Sequence, residues 1–339
     1  MLWHIWATLG DLNMRSTASS ALREAPHAES FFDGFVEHKI DIQNGQIFCR
    51  IAGNGPVILL LHGYPQTSAM WHKVAPVLAK SHTVICADLR GYGRSFKPET
   101  DAVHSTYSKR AMANDMMMVM NSLGIETFFV GAHDRGARVA HRLAADHPER
   151  VMALATLDIA PTREMYRDGD SSFAQAYWHW YWLTQSYPFP ETLIAGASDY
   201  YWLKKCGSGS AGLSPFSHQA LKEYLTCFAD PDVIHASCED YRAAATIDIE
   251  HDNDDCTRLK MPVLALWGKH GVIERHFDCL TLWRERADDV RGWSIDGGHY
   301  LAEEKPGQVA DAFLEFFGNT DIHDRSASIQ SALQMAGDR

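Results

Sequence analysis

Short apolar runs alternate with stretches of helical period along most of this chain. Pro56–Leu61 and Val151–Leu157 are almost continuously apolar, as strands buried on both faces are. His82–Ala87, the run opening at Phe128, Pro262–Trp267 and Arg291–Ile295 predict further strands. Earlier, Phe35–Ile42 and Gln46–Ala52 flank Asn44-Gly45, which predicts a hairpin turn at that dipeptide. Helical spacing recurs between the runs: Trp71–Leu78, Thr106–Leu123, a stretch through Val139, Leu143 and Ala144, Cys279–Asp288, and a last one ending near Phe317. The Met run 116–118 reads as core filler. Strands alternating with helices predict a mostly parallel, doubly wound sheet.

The rhythm stops between Pro161 and Glu250. Aromatic residues crowd this insert: Tyr177, Trp178, Trp180, Tyr181, Trp182, Tyr200, Tyr201, Trp202, Tyr224 and Tyr241. It predicts a helical cap over the carboxyl ends of the strands, where ligands bind in open α/β sheets. Cys206–Gly212 is a loop within it. The expected division is an N-terminal extension at 1–30, a core at 31–160 and 250–318, a cap at 161–249, and a tail at 319–339.

Composition narrows the function. The chain is 46% hydrophobic and 22% charged, as soluble globular proteins are. Its net charge of −12 argues against nucleic acid as a partner. An anionic substrate would need a local positive site inside this negative molecule. The 7 Cys are dispersed, with no CxxC pair and no metal spacing, which reads as reduced thiols in a cytoplasmic protein. No apolar run approaches the roughly 20 residues of a membrane span. The sequence calls for no metal and no cofactor.

The chemistry centres on Ala132-His133-Asp134-Arg135-Gly136. A strand enters, a tight turn follows, and a helix leaves, which is the layout of a nucleophile elbow. The turn requires small residues two before and two after the nucleophile, here Ala132 and Gly136. The apex is Asp134, a carboxylate, suited to attack alkyl carbon. Its structural alternative is a helix N-cap. Asp158 and His299 follow later strands, in the chain order nucleophile, acid, histidine. Asp158 has a capping alternative as well. After Pro262–Trp267 the one comparably placed acid is Glu274. His62-Gly63-Tyr64 ends an earlier strand, which makes the backbone N–H groups of Tyr64 and Arg135 the candidate oxyanion hole.

Three segments together carry a resemblance: Asp134–Arg142, Tyr177-Trp178-His179-Trp180, and Glu239-Asp240-Tyr241-Arg242-Ala243. They resemble the haloacetate (fluoroacetate) dehalogenase family of the α/β-hydrolases, over about Phe32 to Phe317. The resemblance implies the α/β-hydrolase fold with an inserted cap. It implies halide binding by His179, Trp180 and Tyr241, a carboxylate clamp of Arg135 and Arg138, and a homodimer. It departs from the family at Ala132, where Gly is more usual, and in the N-terminal extension.

Physical reasoning agrees. A 2-halo acid is an anion approaching an anionic nucleophile, so a counter-field is needed. Arg135 and Arg138 are three apart at a helix start and therefore neighbours. Guanidinium forks suit carboxylates, and the helix N-terminus adds positive potential. Fluoride is a poor leaving group and needs fixed, desolvated donors. The expected activity is hydrolysis of a haloacetate through an ester on Asp134. The rival is an epoxide hydrolase, with Tyr241 and either Tyr166 or Tyr181 protonating the epoxide oxygen; a neutral epoxide gives the Arg pair no purpose. A non-catalytic ligand-binding protein of this fold predicts a broken triad, yet Asp134, Asp158 and His299 are all present.

Overall fold

A computed structural model describes residues 31–208, 211–255 and 257–320. The expected extension at 1–30 and nearly all of the tail at 319–339 lie outside the described residues. The apolar runs form eight strands: β1 Val36–Ile42, β2 Gly45–Ala52, β3 Val57–Leu61, β4 Thr83–Ala87, β5 Phe128–His133, β6 Val151–Leu157, β7 Val263–Gly268 and β8 Val290–Ile295. They make one sheet in the order β1-β2-β4-β3-β5-β6-β7-β8. β2 runs antiparallel to both of its neighbours, and every pair from β4 to β8 is parallel. β3, β4 and β5 are buried at every position, which is why their sequences are apolar runs and not alternating ones.

Helices cover both faces. α1 is Ala75–Leu78, α2 Lys109–Ser122 and α3 Asp134–Asp146. The expected helix over Trp71–Leu78 is split into a 3-10 turn, Ser68–Trp71, and short α1. α2 begins later than its spacing predicts because the Ser108 hydroxyl accepts the Ala111 N–H at 3.2 Å and caps it. Met116 and Met117 are buried in the core.

Between β6 and β7 the described residues form eight helices: α4 Thr162–Asp168, α5 Ser171–Ala176, α6 Trp178–Trp182, α7 Phe189–Ala195, α8 Ser198–Gly207, α9 His218–Phe228, α10 Pro231–Ala245 and α11 Ile247–Asp254. α12 Val272–His276, α13 Cys279–Arg286, α14 Leu301–Glu304 and α15 Pro306–Gly318 follow among the described residues. Phe317 of α15 stacks on Phe129 of β5 with centroids 4.9 Å apart.

Polar ties fasten the helical insert to the strand layer. Arg50 Nη2 donates to Glu223 at 2.6 Å, and the Thr67 hydroxyl donates to the same carboxylate at 2.7 Å. The Trp202 indole donates to the Pro65 carbonyl at 2.8 Å, and the Tyr224 hydroxyl to Glu303 at 2.6 Å. No described helix is long and apolar enough to cross a membrane.

The hairpin differs from expectation by one residue. Ile42 pairs with Gly45, so the turn is Gln43-Asn44 and Gly45 is already in β2. Its lack of a side chain serves packing: a Cβ there would stand 2.4 Å from the Phe96 ring. We therefore expect Gly45→Ala to lower stability by about 1–3 kcal/mol, the usual range for overpacking, read from urea denaturation. Unchanged stability would mean that Phe96 yields freely.

Candidate active site

The elbow is built by two close approaches. β5 carries the chain to Asp134, which has a φ of +45°, a left-handed conformation that strains any residue with a side chain. Asp is among the residues that tolerate it best. A Cβ on Gly136 would lie 2.3 Å from the His62 carbonyl oxygen, so only glycine lets α3 start against the end of β3. Asp158 repeats the device after β6, with a φ of +52°. Because β3, β5, β6, β7 and β8 are parallel neighbours, Tyr64, Asp134, Asp158 and His299 all emerge on one sheet edge.

The distances make these residues one unit. The Tyr64 backbone N–H donates to Asp134 Oδ1 at 2.9 Å. Asp134 Oδ2 lies 3.7 Å from His299 Nε2. His299 Nδ1–H donates to Asp158 Oδ2 at 2.6 Å, and the Gly268 N–H of β7 fixes the other Asp158 oxygen at 2.8 Å. His133 Nε2–H donates to the His299 carbonyl at 2.8 Å and holds that loop. Glu274 is elsewhere: it is exposed and accepts the Trp267 indole N–H. Burial raises the Asp134 pKa, but His299, His133, Arg135 and Arg138, in that order, outweigh it and hold the carboxyl well below the usual carboxylate range.

The second group of residues faces this carboxylate. Arg135 donates through Nε and Nη2 to the Asp240 carboxylate at 3.0 and 2.7 Å, and through Nη2 to its carbonyl at 2.8 Å. The same guanidinium lies 4.2 Å above the Tyr241 ring. Arg138 donates to the Ala160 carbonyl at 3.2 Å and to Thr162 Oγ1 at 2.9 Å, and lies 4.7 Å above the Trp180 ring. Among the described residues it pairs with no carboxylate, although it is 2% exposed. Burial and the neighbouring Arg135 lower its pKa, and Asp134 opposes them.

Five of the buried polar atoms that find no hydrogen-bond partner are Arg135 Nη1, Arg138 Nε, His179 Nδ1, Trp180 Nε1 and Tyr241 OH. They belong to the five residues singled out in the sequence for ligand binding. His179 and Tyr241 stand edge to face at 5.7 Å, and the Tyr64 ring touches both, at 6.3 and 5.2 Å. Burial lowers the His179 pKa well below its ordinary value, so the ring is a neutral donor. Of the tyrosines considered for an epoxide, Tyr181 is exposed, whereas the Tyr166 ring packs on Trp180 at 4.9 Å. No group of three or more His, Cys, Asp or Glu among the described residues is arranged to hold a metal ion.

Comparison with known proteins places this geometry. Residues 56–196 match the family model described as alpha/beta hydrolase fold. Fluoroacetate dehalogenase of Burkholderia sp is 43% identical over 291 residues, 85% of this chain and 95% of that protein. The chain belongs to the α/β-hydrolases, in the branch of fluoroacetate dehalogenase. Soluble epoxide hydrolase of Corynebacterium sp. strain C12 is 31% identical over 87% of this chain and 98% of its own length. A solved alpha/beta hydrolase structure from Nostoc sp PCC 7120 superposes with a TM-score of 0.83 at 52% identity, covering 85% of this chain and 99% of that one.

Sequence reasoning missed how this α/β-hydrolase holds its first arginine. Asp240 accepts from Arg135, from the Tyr92 hydroxyl at 2.6 Å and from Lys109, whose backbone N–H and ammonium also reach Asp248. Asp240 was visible only as a neighbour of Tyr241. Lys205 was missed too: it is half-buried on α8, pairs with no carboxylate among the described residues, and its charge acts on His179.

The two arginines should behave oppositely when perturbed. Asp240→Asn strips the counter-charge from buried Arg135 and Lys109 and should cost about 3 kcal/mol or more. Arg138→Met removes a buried cation with no protein carboxylate and should leave stability unchanged or raise it, by up to about 2 kcal/mol. Urea denaturation of the two variants checks both; an equal loss in each would make Arg138 a structural ion.

Proposed function

We propose that this chain hydrolyses the carbon–halogen bond of haloacetates, converting fluoroacetate and water to glycolate and fluoride through an ester on Asp134. The observation that carries the reading is Arg138, a buried guanidinium without a carboxylate beside an ionised nucleophile. A buried charge is stable only when paired, so the missing anion is the substrate carboxylate. Arg135 Nη1, left free while Asp240 fixes the rest of that side chain, joins it in the clamp. The relationship to fluoroacetate dehalogenase supports the same substrate class.

The geometry supports the following steps. The Tyr64 N–H engages Asp134 Oδ1, so Oδ2 is the attacking atom. It displaces halide from C2 into the space faced by His179 Nδ1, Trp180 Nε1 and Tyr241 OH. In the resulting ester Oδ1 is the carbonyl oxygen. His299 Nε2 takes a proton from water, its ring oriented by Asp158, and hydroxide attacks the ester carbonyl carbon. The oxyanion develops on Oδ1, already at the Tyr64 N–H, with the Arg135 N–H as second donor. Collapse frees the hydroxy acid and restores Asp134. An epoxide hydrolase is also among the relatives, but a neutral epoxide leaves Arg138 unpaired.

Attack and hydrolysis use different residues and should separate. His299→Asn should still displace halide yet stall at the ester, so intact mass after incubation with chloroacetate should show a carboxymethyl adduct on the Asp134 peptide. Halide release with unmodified Asp134 would exclude the covalent route. Asp134→Asn should release no halide from fluoroacetate or chloroacetate.

The leaving-group site gives a sharper test. Fluoride concentrates more charge than bromide as it departs and depends more on aimed donors. Losing one such donor costs about 3 kcal/mol, roughly a hundredfold in rate. Trp180→Phe should therefore lower kcat/KM for fluoroacetate far more than for bromoacetate. An unchanged ratio of the two would leave Trp180 with packing alone.

A further inference from the structure

The leaving-group side of the site holds a transferable proton that halide departure uses only as a hydrogen bond. Tyr241 is fully buried, its hydroxyl has no partner among the described residues, and its ring stands 5.2 Å from Tyr64, whose N–H grips the nucleophile. His179, with its own unpartnered Nδ1, lies edge to face with it at 5.7 Å. Arg135 covers its face at 4.2 Å. A nucleophile, a carboxylate clamp and a proton donor thus converge on one small volume.

We propose that the same site has a second activity, resting on the haloacetate reading: the hydrolysis of small α,β-epoxy carboxylates, of which oxirane-2-carboxylate is the simplest. In that anion the carboxylate, C2 and the ring oxygen reproduce the carboxylate, C2 and halogen of a haloacetate, and C3 ties the oxygen back to C2. Asp134 Oδ2 bonds to C2 as the C2–O bond breaks. The electron pair goes to the oxygen, which stays on C3 and takes the Tyr241 phenolic proton. Water, deprotonated by His299, then cleaves the ester, and the proton held by His299 returns through solvent to the Tyr241 phenolate. The sum is one epoxy acid and one water giving one 2,3-dihydroxy acid, with no change of oxidation state overall.

Electrostatics favour the transfer at the moment it is needed. Burial, and then the charge of Asp134, push the Tyr241 phenol well up, while Arg135 pulls it down. Attack turns Asp134 into a neutral ester, so that opposing charge vanishes and Arg135 remains. The acceptor is an alkoxide, whose conjugate acid is far weaker than a phenol and about as weak as water. Neutral epoxides are excluded by the same feature that selects haloacetates, since they leave the buried Arg138 charge unpaired.

The test uses the full chain, wild type and Tyr241→Phe, with oxirane-2-carboxylate, styrene oxide and bromoacetate in oxygen-18 water. The wild type should form the dihydroxy acid, with label on C2 after many turnovers, and should open styrene oxide at least about a hundredfold more slowly. Tyr241→Phe should lose about a hundredfold or more on the epoxy acid, the scale of general acid catalysis, and at least about tenfold less than that on bromoacetate. Turnover of bromoacetate without turnover of the epoxy acid would overturn this inference alone; turnover of neither would remove the haloacetate reading with it. Label on C3, equal losses on both substrates in Tyr241→Phe, or faster opening of styrene oxide would each overturn the proposal.

Discussion

A buried positive charge with no ion-paired carboxylate is the constraint around which this site is arranged. Two guanidinium groups sit early in α3, where the helix dipole already disfavours cations. One of them, Arg135, is neutralised by Asp240. The other hydrogen-bonds to carbonyl, hydroxyl and thioether groups and lies over the Trp180 ring. Its charge acts on Asp134, and it adds to His299, His133 and Arg135 in keeping that buried carboxyl ionised. In the proposed reaction the same guanidinium receives the substrate anion, so nucleophile activation and substrate capture draw on one electrostatic arrangement.

The division of labour between layers follows. The strand layer supplies groups that must be placed to a fraction of an ångström: Asp134, Tyr64, Asp158 and His299 all stand at the ends of adjacent parallel strands. For Tyr64, Asp134 and Asp158 the register is fixed by strands buried at nearly every position, where a slip of one residue would misplace the core. The inserted helices supply the groups to which the proposed reaction assigns the departing atom. α6 carries His179 and Trp180, and α10 carries Tyr241. The ties from Glu223 to Arg50 and Thr67, and from Tyr224 to Glu303, hold that second layer at a fixed height above the first.

How much of this was legible in the sequence depended on the range of each interaction. The elbow was readable because its steric rule acts within five consecutive residues, Ala132 to Gly136. The triad was readable because each member follows an apolar run, and parallel topology turns that local fact into a shared edge. Of the two candidate acids, the structure brings Asp158 to His299 at 2.6 Å and leaves Glu274 exposed on the Trp267 indole. Asp240 was not legible as the anchor of Arg135. That contact spans 105 residues, and nothing local to either residue marks it. The turn at Gln43-Asn44 was misplaced for a related reason. Gly45 answers to Phe96, far along the chain, and not to the turn itself.

The unpartnered donors of α6 and α10 bear on how the site acts. Each buried N–H or O–H without an acceptor costs stability, on the order of 1–3 kcal/mol. A surface free to relax would turn such groups toward one another or toward backbone carbonyls. These are prevented from doing so by aromatic packing: Trp180 is wedged among Tyr166, Phe173 and Tyr177 at 4.9, 5.5 and 5.8 Å. Tyr241 is pinned between Arg135 and Tyr64. The stacking that makes this stretch so rich in Trp and Tyr therefore does more than fill space. It keeps the donors oriented in the absence of an acceptor, so in the proposed reaction little reorganisation remains when negative charge develops on the departing atom. On that proposal the same rigidity limits the acceptor to an atom borne on C2 of an acid whose carboxylate is on the clamp.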